Sequence, residues 1–397
     1  MGASNITQYI LTVLSVFLIL SSLYILFLLI KFIIYKRNNK RKKAYYRGYR
    51  TDNKNRMEIN AKEIKKISNK ENIVKYNNGD KYKGEIIEGK RSGFGICIFS
   101  NNERYEGLWK DDKMNGVGKY TFEGGATYSG DFKNGVMEGI GTYNYTNKDI
   151  YKGEFKYNKR EGKGILYYSD GSKYIGMWKG DIQSGKGKLI YSNGNIYEGD
   201  FEGGKLEGKG RYIYSDGTTY EGEFKANVYD GYGCFTYENG DIYEGEFKYG
   251  LKKGNGKLKH RNGEIYTGEF KDDLFNGVGR YIYIDNSFYE GEFKNGKIDG
   301  IGTYSCDKYK YIGEWKDNKK NQLGTYYLGN NISLEVTIKN NTIIKGVYKS
   351  KGEDDLYLYN LDISTKENEM KIIENIDEYL LKECKHKSTL NSLNLYN

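Results

Sequence analysis

Few residues in this chain have the spacing that a catalytic or metal site would require. The two histidines, His260 and His386, lie far apart. His260 stands at a position of an internal repeat that elsewhere holds Tyr or Phe, so we interpret it as a substituted core aromatic and not as a general base. The four cysteines show no Cys-x-x-Cys spacing, which argues against a zinc site or a disulfide framework and suits a reducing cytosol. These cysteines are Cys97, Cys234, Cys306 and Cys384.

Two glycine-lysine stretches, residues 180–186 and 203–209, fit the beginning of a phosphate-binding loop. Each is followed by a glycine, Gly187 or Gly210, where that loop needs the hydroxyl of Ser or Thr for magnesium. Each also leads into a predicted strand, whereas a P-loop opens a helix. Since no stretch has the length or pattern of an appended catalytic domain, the sequence predicts a protein that is not an enzyme and has no cofactor or metal.

The positive charge of the chain is concentrated near its N-terminus. The net charge is +10, and residues 31–70 hold +12 of it, so residues 71–397 carry −2. A basic run beside a membrane is attracted to anionic lipid by roughly 1 kcal/mol per charge. We therefore predict an anionic-lipid contact within a basic linker over residues 36–75, with the alternative that these charges only set the membrane topology. The predicted contact residues are Lys36, Arg37, Lys40, Arg41, Lys42 and Lys43.

The basic run follows an apolar segment that is long enough to cross a bilayer. Residues 9–30 contain no charged side chain, and these 22 residues match a hydrocarbon core of about 30 Å. We predict a transmembrane helix over residues 9–35 after a short extracytoplasmic segment, residues 1–8. Positive flanks stay in the cytoplasm, so the rest of the chain should face it. The alternative is a cleaved secretion signal, which would have a shorter apolar region and a basic stretch before it.

Tyrosines recur along most of the remaining chain at a fixed spacing. Eleven of them fall 23 residues apart, except for a last step of 22. They are Tyr82, Tyr105, Tyr128, Tyr151, Tyr174, Tyr197, Tyr220, Tyr243, Tyr266, Tyr289 and Tyr311. A fixed period of this size is typical of stacked small units, each of which buries its apolar face against its neighbours. Function is therefore expected on an extended surface and not in a cleft.

Each unit reads as a β-hairpin. Tyr243, Gly245 and Phe247 alternate with charged residues, and Gly254, Gly256 and Leu258 do so in the second half. This period of two predicts two short strands with one apolar face. Turn dipeptides of the Asn-Gly and Asp-Gly type separate the halves and the units. The paired glycines should leave room for an aromatic ring of the adjacent strand to lie flat on the backbone. About eleven hairpins would form a twisted rod on the order of 100 Å long.

The sequence Tyr-Glu-Gly-Glu-Phe-Lys at residues 243–248, with Gly-x-Gly eleven residues after the tyrosine, resembles the MORN (membrane occupation and recognition nexus) repeat. The resemblance covers residues 76–328 and implies an all-β, elongated, single-layer array of antiparallel hairpins. It also implies a frequently dimeric scaffold at membranes, so a homodimer through the array is an expectation. Gln322 departs from the pattern by replacing the first paired glycine. Besides the tyrosines, the residues taken as defining the repeat are Gly84, Gly93, Gly95, Gly107, Trp109, Gly153, Gly199, Gly222, Gly245, Phe247, Gly254, Gly256, Gly268 and Gly291.

After residue 328 the period ends. Residues 329–350 are predicted to form an irregular hairpin that caps the stack. Ser364 and Glu367 form a capping box that predicts a short amphipathic helix over residues 364–385, followed by a disordered tail, residues 386–397. The helix could cover the last hairpins or present its apolar stripe to a partner. That stripe is Met370, Ile373, Ile376 and Leu380.

Together these features predict a single-pass membrane protein whose cytoplasmic repeats act as a scaffold or tether for protein partners. One alternative is a module in which the repeats themselves bind phosphoinositides, although Glu residues offset Lys and Arg on the polar face. A second alternative is a regulatory subunit of an enzyme. Nucleic acid is not expected as a partner, because the repeats are close to neutral.

Overall fold

The structure is a computed structural model, and it describes residues 73–329, 332–339, 342–349, 356–358 and 361–362, together with Thr365, Glu367, Glu369 and Lys371. The chain divides into two units after Gly141. The predicted anchor over residues 9–35, the six basic lipid-contact residues, the apolar stripe of the C-terminal helix and the tail lie outside the described residues. Among the described residues, no helix is long and apolar enough to cross a membrane.

The first unit is built from strands that pair antiparallel in chain order. Its strands are β1 (Val74–Lys75), β2 (Lys81–Ile87), β3 (Lys90–Ile98), β4 (Arg104–Lys110), β5 (Lys113–Thr121) and β6 (Thr127–Lys133), and β7 (Val136–Asn144) crosses the division between the units. Each strand from β1 to β6 is hydrogen-bonded to the next.

The second unit continues the same pattern with antiparallel neighbours from β8 to β25. Its strands are β8 (Ile150–Lys156), β9 (Lys159–Tyr167), β10 (Lys173–Lys179), β11 (Ile182–Ile190), β12 (Ile196–Glu202), β13 (Lys205–Ile213), β14 (Thr219–Lys225), β15 (Val228–Thr236), β16 (Ile242–Lys248), β17 (Leu251–Lys259), β18 (Ile265–Lys271), β19 (Leu274–Ile282), β20 (Phe288–Lys294), β21 (Lys297–Ser305), β22 (Lys310–Lys316), β23 (Lys319–Gly329), β24 (Ile332–Lys339), β25 (Thr342–Lys349), β26 (Leu356–Leu358) and β27 (Leu361–Asp362). The all-β array of hairpins predicted from the sequence is confirmed.

The glycines of successive strands lie opposite one another. Gly245 on β16 pairs with Gly233 on β15 and with Gly256 on β17. The ladder between repeats is regular, whereas the ladder within each hairpin shifts register after the first glycine, between Gly245 and Phe247. Because the shift recurs at the same place in the other hairpins, the sheet carries a periodic β-bulge, which bends the strand and increases its twist.

The tyrosine ring occupies the space above two of these glycines. A methyl group on Gly118 would lie 2.5 Å from Cε2 and Cζ of Tyr105, and one on Gly107 would lie 2.5 Å from the Oη of the same ring. Real Cβ atoms do not approach this closely, so neither position accepts a side chain while the ring is in place. The ring in turn fills the gap that glycine leaves in a strand.

The first glycine of each Gly-x-Gly pair has a different role from the one predicted. Gly254 has φ +73°, in the left-handed region that other residues rarely adopt, and it forms the bulge. The bulge removes the Asn255 N–H and the Glu246 carbonyl from the hydrogen-bond ladder, and each forms a hydrogen bond with a side chain instead. The N–H of Asn255 donates to the Glu246 carboxylate at 3.2 Å, and Tyr243 Oη donates to the Glu246 carbonyl at 3.0 Å. Only the second glycine of the pair, Gly256, lies under the ring.

The last repeat keeps its pairing although a glycine is missing. Gln322 stands where the bulge glycine would be and adopts φ 55°. Gly313 still pairs with Gly324, and Trp315 with Lys320, as in the other repeats. Among the described residues, however, the buried Oη of Tyr311 has no hydrogen-bond partner, whereas the same atom of Tyr289 donates to the Glu292 carbonyl at 3.1 Å. The conformation of the bulge therefore persists without glycine, but its hydrogen bonding is incomplete.

Beyond the repeats, β24 and β25 pair as a hairpin within the segment expected to cap the stack. Thr365 accepts a hydrogen bond from the N–H of Glu369 at 3.0 Å, the spacing of an α-helix, and Glu367, Glu369 and Lys371 are helical. These residues lie in the segment for which a helix is predicted. The remaining residues of that segment lie outside the described part of the chain.

We expect Gly118→Ala to destabilise the protein by at least about 2 kcal/mol, because its methyl group displaces the Tyr105 ring from a close-packed site. Gly124→Ala is the matched control, since Gly124 has open space around its Cβ position and lies outside the left-handed region. The control should change the free energy of unfolding by about 0.5 kcal/mol or less. Denaturant unfolding of both variants measures the difference, and equal stability would contradict the ring-on-glycine packing.

Candidate functional site on the aromatic face of the repeats

Each strand presents aromatic and small residues on one side and charged residues on the other. On β4, Tyr105, Gly107 and Trp109 are buried, while Arg104 and Lys110 are exposed. We call the first side the aromatic face and the second the polar face. Because residues two apart share a side of a strand, the Tyr-x-Gly-x-(Phe/Trp) spacing places its three defining residues together.

In each unit, the tyrosines of the 23-residue period lie in a row on the aromatic face, and we call these residues the inner row. All eleven are fully buried, with 0% exposure. Tyr105 meets Trp109 of its own hairpin at 5.1 Å between ring centroids and Phe132 of the next at 5.0 Å, both edge-to-face. In the second unit, Tyr197 contacts Phe201 and Phe224 in the same way. Such pairs each contribute about 0.5–1.5 kcal/mol beyond burial.

Burial also changes the acidity of the inner row. Desolvation raises the pKa of Tyr105 and Tyr174 well above 10, and the same cause dominates for Tyr243 and Tyr289. The hydroxyls are therefore held neutral, and each of them except that of Tyr311 donates its proton to a backbone carbonyl. The inner-row side chains therefore stabilise the fold and have no surface available to a partner.

A second set of aromatic residues, which we call the outer row, lies on the aromatic face beside the turns that join the repeats. Its members are half-buried. In the first unit they are Phe99, Tyr120 and Phe122, and in the second Tyr143, Tyr145, Tyr168, Tyr191, Tyr212, Tyr214, Phe235, Tyr237, Tyr281, Tyr283 and Tyr304. Rings two residues apart lie against each other, as in Tyr143 and Tyr145, whose centroids are 4.5 Å apart. The row thus offers clustered rings that are partly open to solvent.

Polar groups of the turns hold the outer rings in place. Tyr120 Oη donates to the Glu103 carboxylate at 2.5 Å, and Tyr281 Oη donates to Glu264 at 2.9 Å. Asn195 Nδ2 donates to Tyr212 Oη at 3.1 Å. The hydrogen bond and burial together raise the pKa of Tyr120, with burial as the larger cause. These bonds orient an aromatic surface before any partner arrives.

His260 belongs to the outer row and not to the buried core. It is half-buried, and its Nδ1 lies 3.1 Å from the Asp241 carboxylate. The pKa of Asp241 is lowered, mainly because its carboxylate accepts the Arg261 N–H. The sequence interpretation of His260 as a substituted aromatic fits its repeat position, but the side chain is half-buried and is not part of the buried core.

The polar face is lined by pairs of opposite charge. Lys188 faces Glu198 across neighbouring strands at 3.4 Å, and Arg280 faces Glu290 at the same distance. Lys186 lies 2.7 Å from Asp200. Pairs this exposed contribute at most about 1 kcal/mol each. Each of these pairs places an acidic group beside a basic one on this face.

The other candidate sites considered in the sequence fall on structural elements. The two stretches that fit the start of a P-loop run into strands β11 and β13. Cys97, Cys234 and Cys306 are free thiols, and no group of His, Cys, Asp or Glu within the described residues is arranged to hold a metal. The tyrosines, the other glycines and the Phe and Trp residues taken as defining the repeat lie on the aromatic face of their strands, whereas Gly93 and Gly254 form bulges. The outer row was missed as a site, although Tyr-x-Tyr at 143–145, 212–214 and 281–283 marks it in the sequence.

A family model described as MORN repeat matches eleven consecutive segments of the chain. The segments are 82–104, 105–127, 128–150, 151–173, 174–196, 197–219, 220–242, 243–265, 266–288, 289–309 and 311–332. This protein belongs to the MORN repeat family. Each match begins at an inner-row tyrosine, and together the matches cover more than half of the chain, so the MORN array is the main described part of the molecule.

No curated protein matched the chain. Among solved structures, the TCP10 domain of Danio rerio CPAP in complex with a STIL peptide is 11% identical, covering 53% of this chain and 93% of that one at a TM-score of 0.33. The SAS-4 TCP domain of Drosophila melanogaster in complex with a proline-rich motif of Ana2 is 14% identical, covering 43% and 84%, at 0.21. An inactive virginiamycin B lyase from Staphylococcus aureus is 11% identical, covering 62% and 91%, at 0.13. Scores this low carry no argument about this chain.

The raised pKa values of the inner row predict alkaline unfolding. The folded protein holds these tyrosines neutral above their ordinary value near 10. Their contribution to stability is therefore complete below about pH 10 and is lost as the pH rises above it. We expect the free energy of unfolding to fall steeply there, because several such groups act together.

Circular dichroism and the ultraviolet absorbance of the phenolate measure this loss. The inner tyrosines should ionise only as the β-sheet signal disappears, and neutralisation should reverse both changes. Ionisation of these tyrosines in a protein that keeps its full β-sheet signal would contradict the prediction.

Proposed function

We propose that this MORN repeat protein is a non-enzymatic scaffold that binds protein partners through the outer row of its aromatic face. The observation that supports this most directly is the difference in burial between the inner and the outer row. The inner row is fully buried, and its hydroxyls other than that of Tyr311 donate to backbone carbonyls, so it serves stability. The outer row is half-buried and clustered, so it retains surface for a partner.

The chemistry of the outer row suits protein recognition. Tyrosine combines a large apolar ring with a hydroxyl that can hydrogen-bond, and it loses little conformational entropy on binding. The rings are oriented by residues of the turns, such as Glu103 and Glu264. A rigid aromatic surface loses less entropy on binding than a flexible one.

The second part of the proposal concerns the membrane. Residues 9–35 would anchor the chain, with the basic linker against anionic lipid and the array on the cytoplasmic side, where it would hold partners or join the membrane to another structure. The apolar run and its basic flank support this. The neutral, paired polar face does not favour the alternative in which the repeats themselves bind phosphoinositides.

Substitution of the outer row should remove partner binding. We expect Tyr168→Ser with Tyr191→Ser to reduce the recovery of neighbouring proteins by about tenfold or more, since central aromatic contacts each contribute over about 1 kcal/mol. Proximity labelling from the C-terminus of the intact protein measures the neighbours. The matched control is Tyr167→Ser with Tyr232→Ser on the polar face, where the two side chains are 36% and 53% exposed.

The control variant should label the same neighbours as the wild type, with thermal unfolding checked for both. If both pairs of substitutions affect labelling equally, the aromatic face is not the binding surface.

Liposome flotation separates the scaffold from the lipid-binding alternative. We expect a fragment of residues 71–397 to remain unbound on vesicles with and without phosphoinositide, because its net charge is −2. A fragment that begins at residue 36 should float with anionic vesicles, and its binding should weaken with salt. Flotation of the shorter fragment would favour the lipid-binding module over the scaffold.

A further inference from the structure

Four repeats place a basic residue at the same position of the aromatic face. These residues are Arg91, Arg160, Lys252 and Lys320, and each is the second residue after a hairpin turn and pairs with the residue at the Phe or Trp position of the preceding strand. The guanidinium of Arg91 lies 4.3 Å from the centre of the Trp109 ring, and that of Arg160 lies 4.1 Å from Trp178. This position therefore holds a cation against aromatic rings.

In three of these repeats the next hairpin provides the counter-charge. Arg91 contacts Asp112 at 3.1 Å, and Arg160 contacts Asp181 at the same distance. Lys252 lies 3.8 Å from Asp273. Each aspartate follows its basic partner by 21 residues and lies in the next hairpin turn. The side chains of these aspartates are 44–45% exposed, so the pairs are open to water.

The fourth basic residue, Lys320, takes its carboxylate from a distant part of the chain. Its ammonium group is bonded to Glu369, which follows it by 49 residues and lies in the helical C-terminal segment. Tyr326 Oη donates to the same Glu369 oxygen at 2.6 Å, and the Lys320 ammonium donates to Tyr309 Oη at 3.4 Å. Glu369 thus supplies to Lys320 the carboxylate that the next hairpin turn supplies to the other three basic residues.

The Lys320 site is also enclosed. The Lys320 ammonium lies 4.7–5.6 Å from the centres of five aromatic rings. The rings are those of Tyr304, Tyr309, Tyr311, Trp315 and Tyr326. The side chains of Lys320 and Glu369 are only 6% and 10% exposed, in contrast to the three open pairs. We call this enclosure the Lys320 pocket.

Burial determines what the pocket accepts. Desolvation lowers the pKa of Lys320, and the charge of Glu369 opposes that change. A buried ion pair contributes little net stability over an apolar pair, but loss of one partner leaves an unpaired charge and is strongly unfavourable. The pocket should therefore discriminate sharply between a carboxylate and a neutral group of the same shape, while holding its own ligand only moderately.

We propose that the Lys320 pocket is a receptor site for a carboxylate carried on a helical segment, and that the chain's own Glu369 segment is its resident and replaceable ligand. This assigns a binding site at the end of the array, beyond the partner surface proposed for the outer row. A free peptide with the sequence of residues 361–385 should compete for the pocket.

Binding of that labelled peptide to full-length protein in detergent tests the proposal. In protein carrying Glu369→Gln, the resident ligand has lost its charge, so we expect the wild-type peptide to bind at least about tenfold more tightly than a peptide with the same Glu369→Gln change. The wild-type protein should bind the wild-type peptide more weakly, because its own segment competes.

Lys320→Met is the control in the pocket, because Met114 holds the equivalent position opposite Trp109 and shows that the fold accepts methionine there. In this variant the two peptides should bind equally weakly. Absence of peptide binding, equal binding of both peptides to the Glu369→Gln protein, or a preference that survives Lys320→Met would each overturn the proposal.

Hydrogen exchange gives a second readout in the wild-type protein, where loss of folding in a variant plays no part. The Glu369 amide, which is bonded to the Thr365 carbonyl, should exchange faster when the wild-type peptide is added and not when the Gln peptide is added. An exchange rate that does not change with the wild-type peptide would show that Glu369 is a fixed structural contact.

Discussion

The packing of one tyrosine ring over two glycines is the constraint on which the rest of the array depends. The Tyr105 ring lies where side chains of residues 107 and 118 would be. Because both residues are glycine, the ring packs directly on the backbone of the sheet. The ring also reaches the carbonyl of Leu108, where the bulge interrupts the ladder, and donates its hydroxyl proton at 2.9 Å. Packing and backbone hydrogen bonding are thereby satisfied by the same side chain, and the Tyr105 ring also contacts Phe132 of the next hairpin.

This packing separates the side chains that stabilise the fold from those that keep solvent-exposed surface. The inner tyrosines cannot contact a partner without opening the sheet, because burial and hydrogen bonding commit them to the fold. The charged side chains of the polar face pair with one another across strands, as Lys188 does with Glu198. The outer row differs from both sets, because rings such as Tyr212 and Tyr214 are half-buried and lie against each other. In this MORN array, the buried inner row therefore stabilises the sheet that carries the half-buried outer row.

The repeats also complete one another through charge. A basic residue at the aromatic face needs a carboxylate, and the following hairpin turn supplies it to Arg91 and Arg160. In the last repeat, the carboxylate that pairs with Lys320 is that of Glu369, which follows it by 49 residues. At the end of the array, a contact that joins neighbouring hairpins at Arg91, Arg160 and Lys252 is therefore made across 49 residues of the chain. The Lys320 and Glu369 side chains are also less exposed than those of the other three pairs.

The sequence by itself determined the hairpin unit, its period and the separation of an aromatic from a polar face, because alternation, turn dipeptides and a 23-residue period are local properties of the chain. It also indicated that glycines make room for rings. Only the tertiary structure showed that Gly254 forms the bulge while Gly256 lies under the ring. The two glycines cannot be told apart in the sequence, because their roles depend on the φ angle and on the neighbouring strand. The same holds for Tyr212 and Tyr220, which differ in burial because of their place across the sheet, and for Lys320 and Glu369, whose pairing across 49 residues depends on how the chain folds back and not on any local pattern.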